Sequence, residues 1–487
     1  MAFKMSHFFL VSIAVVLFLF FFLQNSFAIE TTWEERHHHL VQTSSLLPSS
    51  SCSSSTQGSK RKSTLDVVHK HGPCSQLNNN GKANSVETHS DILNNDKERI
   101  KYIQSKLLSS SNNNNNNKMK EIELDSSSAN LPAKSALPFG YGNYYVVVGL
   151  GTPKRNLSLA FDTGSDLTWT QCQPCAGSCY KQIDEIFDPS KSTSYNNITC
   201  TSPDCTQLLS ATEINPGCSR STKACIYGIR YGDGSFSVGY FSSEQLTVTP
   251  TDTIENFLFG CGQDNEGLFI GVAGLLGLGR HPISFVQQTS QKYDKTFSYC
   301  LPSTSSGVGY LTFGSTNNND VSYTSSPTAS HGHSFYYIDI LGITLNGTQL
   351  PISSSLFSSA GAIIDSGTVI TRLPPTVYAT LRDSFQKGMS KYPRAEPFSL
   401  FDTCYDLSGV EDLSIPQINF VLAGGVTVEL VVPGILYTIS SKQVCLAFAA
   451  NRADTDLTVF GNVQQKTLEV VYDVGGGRIG FGSNGCK

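Results

Sequence analysis

Two copies of one short motif stand 203 positions apart: Phe161-Asp162-Thr163-Gly164-Ser165 and Ile364-Asp365-Ser366-Gly367-Thr368. Each follows an apolar, strand-like run, Leu157-Ser158-Leu159-Ala160 before the first and Ala362-Ile363-Ile364 in the second. Asp-[Ser/Thr]-Gly alone is a weak signal, with roughly 0.4 matches expected by chance in a chain of this composition. Two matches in the same context, one domain apart, imply two similar halves, each presenting a carboxylate at a tight turn. A shared pair of carboxylates is a means of acid–base chemistry, because like charges held close cannot both ionise cheaply.

The surrounding elements fit that duplication. Leu275-Leu276-Gly277 follows the first motif and Val459-Phe460-Gly461 the second; an apolar pair ending in Gly lets another strand pass where a side chain would clash. From about residue 137 strand signals dominate. Tyr144 to Val148 is β-branched and aromatic, Tyr336, Ile338 and Ile340 alternate, and Asn346-Gly347 is a hairpin turn before Leu350. Two helices are expected: Val377, Tyr378, Leu381, Phe385 and Met389 after Pro374-Pro375, and a shorter one over Ile283–Gln291. The polar stretch Ser303–Ser330, broken by Tyr310-Leu-Thr-Phe313, reads as the region between the halves. The class is mostly β, in two lobes.

These residues resemble the pepsin-like aspartic endopeptidases, in particular their nepenthesin-type plant branch, over nearly all of 137–487. The resemblance implies a bilobal acid protease fold, two six-stranded-type β lobes with the active site in the cleft between them. It makes Asp162 and Asp365 the catalytic pair, supported by Thr163, Gly164, Ser165, Ser366, Gly367 and Thr368. Tyr231-Gly232-Asp233-Gly234 matches the substrate-covering flap, and Trp169 the hydrogen-bond partner of its tyrosine. The dense cysteines Cys172, Cys175, Cys179, Cys200, Cys205, Cys218 and Cys225 resemble the nepenthesin insertion, expected over 172–225. The family also implies pairs Cys404–Cys445 and Cys300–Cys486; the remaining eight cysteines, Cys172 to Cys261, allow 105 connectivities. In the implied mechanism the ionised carboxylate takes a proton from water, which attacks the scissile carbonyl, while the protonated one donates to the carbonyl oxygen. Neither cofactor nor metal is needed.

The N-terminus reads as a signal peptide, 1–28: Lys4, an apolar run Phe8–Leu23 too short for a membrane span, then Ser26-Phe27-Ala28. With no second such run, the mature chain is expected to have no membrane partner. Twelve of fourteen cysteines lie between Cys172 and Cys486, an even number suited to an oxidising compartment, and Asn156, Asn197 and Asn346 head glycosylation sequons. The expected location is extracellular, in the apoplast, rather than the vacuole. Residues 29–136 carry low-complexity tracts, Ser49–Ser55 and Asn112–Asn117, and a net charge of +2 against −8 for 137–487. One ordered segment is expected there, a helix with Ile92, Leu93, Ile100, Ile103 and Leu107 on one face and Ser90 or Asp91 as its cap. A basic segment before an acidic body reads as a prosegment that inhibits its own enzyme, followed by catalytic lobes 137–310 and 311–487. Acid would protonate body carboxylates and weaken the attraction, with cleavage near Leu131–Phe139.

Other classes fare worse. Zinc at Cys172-x2-Cys175-x3-Cys179 lacks histidine, since 137–487 holds only His281, His331 and His333. Gly480-Phe-Gly482-Ser-Asn-Gly485 imitates a dinucleotide fingerprint with no helix after it, and Asp402-Thr403-Cys404 lacks the turn glycine. A serine or cysteine protease would need a histidine base beside a nucleophile motif. The alternative is a catalytically silent pepsin-fold inhibitor or carbohydrate-binding protein, against which both intact motifs and Tyr231 argue. Peptide or protein substrates, a monomer, and no nucleic acid are expected.

Overall fold

Each aspartate turn sits at the end of a strand buried on both faces, and each lobe builds that arrangement the same way. The computed structural model describes residues 38–53, 61, 63–78, 88–111, 124–125, 128–129, 144–231, 234–267, 269–315, 320–327, 334–359 and 361–486. In the first lobe, strand Arg155–Asp162 runs parallel to Gly274–Gly277, which pairs antiparallel with Trp169–Gln171. In the second, Ala362–Ile364 runs parallel to Thr458–Phe460, which pairs antiparallel with Thr371–Leu373. The glycines end these ladders for a steric reason. A Cβ on Gly277 would stand 2.3 Å from Asp166 O, and one on Gly461 2.7 Å from Val369 O.

A 15-stranded sheet joins the lobes. From one edge it runs Val321–Ser325, Arg478–Gly482, Glu469–Asp473, Thr296–Cys300 and Val308–Phe313, so three strands from the second half continue into strands from the first half. Tyr310 to Phe313 therefore belongs to a sheet strand, and the polar stretch around it supplies its connections. The Asn346-Gly347 hairpin has both residues at positive φ, 51° and 74°, between Ile340–Leu345 and Thr348–Gln349. Helix Pro375–Gly388 buries Val377, Tyr378, Leu381 and Phe385. The Ile283–Gln291 segment forms two single turns, Phe285–Gln288 and Ser290–Tyr293, because Thr289 between them leaves the helical region.

The segment before residue 137 is more ordered than its composition predicts. Strand Thr64–His69 inserts between Val308–Phe313 and Tyr144–Leu150, burying Leu65 and Val67. Strand His38–Gln42 pairs with Asp412–Pro416, and Cys52 bonds Cys74. These strands are short, and their partners lie far along the chain, so periodicity alone does not reveal them. Helix His89–Ser111 is present, capped by Thr88 rather than Ser90 or Asp91. Thr88 Oγ1 accepts from Asp91 N at 3.2 Å, while Asp91 accepts from Thr88 N at 2.9 Å, a reciprocal cap. Ile92, Leu93, Ile100 and Ile103 are buried on the body; the Leu107 side chain lies outside the described residues, as do 1–37, Asn112–Asn117 and 131–139.

Seven disulfides are formed among the described residues. Cys172 bonds Cys261, Cys175 bonds Cys179, Cys200 bonds Cys218 and Cys205 bonds Cys225, all within the first lobe. Cys300 bonds Cys486, and Cys404 bonds Cys445, which places Asp402-Thr403 beside a disulfide strand. No helix of the described residues is long and apolar enough to cross a membrane.

Candidate active site

Asp162 and Asp365 are both buried, and their turns repeat the same hydrogen bonds. Gly164 N donates to Asp162 Oδ1 at 3.0 Å, and Gly367 N to Asp365 Oδ1 at 3.2 Å. Ser165 Oγ donates to Asp162 Oδ2 at 2.7 Å, and Thr368 Oγ1 to Asp365 Oδ2 at 2.5 Å. Across the lobe boundary Ser366 N donates to Thr163 Oγ1 at 2.9 Å and Thr163 N to Ser366 Oγ at 3.1 Å. Glycine is required where the turns meet: a Cβ on Gly367 would lie 2.5 Å from Asp162 Oδ1, and one on Gly164 2.8 Å from Asp365 Oδ1. Burial raises the Asp365 carboxyl above its ordinary value; Arg99 opposes that shift and the charge of Asp162 adds to it.

Above this pair, Trp169 Nε1 donates to the buried Tyr231 hydroxyl at 2.8 Å, and Phe269 stands edge-on to both rings at 4.8 and 5.4 Å. Burial holds the Tyr231 phenol well above its usual pKa, so it stays neutral. Gly234 follows at φ 86°; Gly232 and Asp233 lie outside the described residues. Asn156 and Asn197 are exposed, whereas Asn346 is half-buried, its Nδ2 lying 2.8 Å from His38 Nε2. His281 contacts Ser210 and the Asp166 region, and no three-ligand metal cluster occurs among the described residues.

The residue that sequence reasoning missed is Arg99. From helix His89–Ser111 its Nη2 donates to Asp162 Oδ1 at 2.7 Å and to Asp365 Oδ1 at 2.9 Å, and its Nε to Asp365 Oδ2 at 2.9 Å. One guanidinium thus spans both carboxylates. One turn earlier, Asp96 accepts from Val369 N at 2.5 Å, Ile370 N at 3.2 Å and Arg372 Nη2 at 2.7 Å. One turn later, Gln104 exchanges two 2.8 Å hydrogen bonds with the Leu457 backbone. The space left between Arg99, Tyr102 and Ile103 and the facing Ser165, Tyr231 and Phe335 is about 10 Å³, room for one water at most. A signal was available: Ile92, Asp96, Arg99 and Ile103 share one helical face, so two charges interrupt an apolar stripe.

Two β lobes, each giving one aspartate turn to a shared cleft, define the pepsin-like acid protease fold. Residues 144–315 match the family described as xylanase inhibitor N-terminal, and residues 335–483 the xylanase inhibitor C-terminal family. An aspartyl protease family protein of Arabidopsis thaliana is 54% identical over 436 residues, covering 88% of this chain and 89% of that protein. The aspartic proteinase nepenthesin-1 of Nepenthes gracilis is 36% identical, over 71% of this chain and 79% of its own length. Among solved structures, the basic 7S globulin from soybean shares the fold with a TM-score of 0.55, at 18% identity, over 70% of this chain and 95% of its own. The chain belongs to the plant pepsin-like aspartic proteases.

Proposed function

We propose that this chain is a secreted aspartic endopeptidase, made as a zymogen and activated in acid. Asp162 and Asp365 share one proton once Arg99 leaves. The ionised member takes a proton from water, which attacks the scissile carbonyl; the protonated member donates to the carbonyl oxygen, and protons then reach the leaving amine. Thr163 and Ser366 lock the two turns together, and Tyr231, held by Trp169, covers the bound peptide. The observation that carries this reading is the Arg99 bridge between the carboxylates. A guanidinium there binds both carboxylates at once, offsetting one of their two charges, and occupies the position of the attacking water and scissile carbonyl, so residues 88–111 act as the chain's own inhibitor. Seven disulfides fit an oxidising compartment.

The test is expression of residues 29–487, followed by mass and peptide hydrolysis from pH 7 to pH 3, with and without pepstatin. Asp162→Asn and Asp365→Asn are each expected to abolish hydrolysis and leave secretion intact; full activity in either sinks the dyad. Full activity at pH 7 with residues 88–111 still attached refutes the zymogen but not the dyad.

A further inference from the structure

Arg372 is buried, 4% exposed, on the strand that leaves the second aspartate turn. Burial lowers its guanidinium below the usual arginine range, and the carboxylate of Asp96 opposes that shift. Among the described residues Asp96 is its acidic partner, at 2.7 Å, and Arg372 Nη1 is buried with no hydrogen-bond partner even with the helix seated. The amides of Val369 and Ile370 point at the same carboxylate. When the Arg99 helix departs, all these donors lose their acceptor together. A guanidinium and two amides that converge on one point of the opened cleft are matched to an anion.

We propose that Arg372 with the Val369 and Ile370 amides forms an acidic-residue subsite of the substrate cleft, so that the mature enzyme prefers peptides bearing Glu or Asp near the scissile bond. This rests on the peptidase reading above. Asp96 occupies the subsite in the zymogen as a substrate carboxylate does afterwards. Its position sets the distance. Asp96 lies one helical turn, about 5 Å, from the dyad-bound Arg99, and an extended peptide advances about 3.3 Å per residue. The acidic residue therefore falls within two or three positions of the cleaved bond, on one side of it. A cavity of about 370 Å³ opens beside Arg372, between the helix and Tyr378, Leu400 and Ala450, so the subsite has room for a side chain longer than Asp96. Arg rather than Lys suits the task, since its fork meets a carboxylate through several N–H donors at once.

Hydrolysis by the acid-matured enzyme of a peptide library, with Glu and Gln exchanged at each of the four positions on either side of the scissile bond, tests this. At one position kcat/KM for Glu is expected to exceed that for Gln by about tenfold or more at pH 5. In Arg372→Gln the ratio at pH 5 is expected near one, and in Arg372→Lys intermediate. A flat wild-type profile overturns the subsite, as does an unchanged ratio in Arg372→Gln. Should that variant fail to mature, the wild-type Glu-against-Gln profile decides. If the matured protein hydrolyses nothing, the peptidase reading fails separately, and equal affinities of the Glu and Gln peptides by fluorescence anisotropy overturn the subsite.

Discussion

Thr163 and Ser366 exchange two hydrogen bonds across the lobe boundary, each amide donating to the other's hydroxyl, at 3.1 and 2.9 Å. Both residues are buried. Each bond therefore matters twice: it satisfies an amide cut off from water, and it fixes one aspartate turn against the other.

Ser366→Ala is expected to leave Thr163 N without its acceptor, at a cost of about 1–3 kcal/mol. Activity should fall further than stability, by roughly 10- to 100-fold in kcat, because the two carboxylates lose their common register. Thr163→Val should act likewise from the other side. The double variant should cost less than the sum of the two, because both remove parts of one paired contact. Thermal denaturation and steady-state kinetics on the same preparations check this; additive losses would show the bonds to be independent.

Arg99 stands against two buried carboxylates, and removing one partner of such a cluster costs about 3–5 kcal/mol in the general case. Here the dyad recovers part of the loss by taking up a proton. Arg99→Gln is thus expected to loosen helix His89–Ser111 without unfolding the body, and to move the onset of hydrolysis toward neutral pH. Arg99→Lys should retain part of the inhibition, since a single ammonium reaches fewer of the oxygens that the fork engages. Hydrogen exchange of the helix amides, read beside activity, distinguishes a loosened helix from a disturbed body. Unchanged latency in Arg99→Gln counts against the plug.

Trp169 donates its indole N–H to Tyr231 at 2.8 Å, inside a cluster with Phe269. Trp169→Phe keeps most of the packing and removes the donor. The expected result is a loss of about tenfold in kcat/KM with little change in melting temperature, because the Tyr231 hydroxyl is no longer held in place. A parallel collapse of stability would instead assign Trp169 a packing role.

The chemistry was legible because it is local. Each aspartate motif is five residues long, and its glycine and hydroxyl neighbours act on the carboxylate beside them. The apolar-apolar-Gly pairs were legible for a similar reason: only glycine lets Val369 O approach Gly461 as closely as it does. The helix showed in its isoleucines, yet Arg99 and Asp96 did not, because a charge on a buried face is unfavourable unless its partner is known. Those partners lie far along the chain, Asp162 and Arg372 in strands and Asp365 just after one. Strand Thr64–His69 was invisible for the same cause, since its neighbours are Tyr144–Tyr145 and Val308–Thr312. The insertion disulfides depended on the fold: spacing left 105 pairings open, and the turns of the first lobe select one.

On the proposed zymogen reading, acid release rests on protonation of body carboxylates and of prosegment histidines, and the surroundings of two of these, His39 and His89, give the sign of their effect. Burial lowers His39 below its ordinary 6.5, with Glu429 and the Leu430 backbone opposing, and leaves its Nε2 without a partner. Burial also lowers His89, with the charge of His71 adding to it, while His89 Nδ1 lies 3.0 Å from the Tyr437 hydroxyl. A histidine depressed in the docked state binds fewer protons there than when released. Its contribution to docking is complete above pH 6.5 and is lost as pH falls from 6.5 toward the lowered value. Asp96 works in the opposite sense: burial raises its carboxyl, so protonation there favours the docked helix, but only at lower pH. The histidines therefore loosen the prosegment first. His89→Gln is expected to move the midpoint of helix release down by roughly half a pH unit, and His39→Gln to act likewise on strand His38–Gln42. The measurement is protease-free release of residues 38–42 and 88–111 in an Asp162→Asn background, followed by hydrogen exchange between pH 7 and pH 4. An unshifted midpoint would return the trigger to the carboxylates alone.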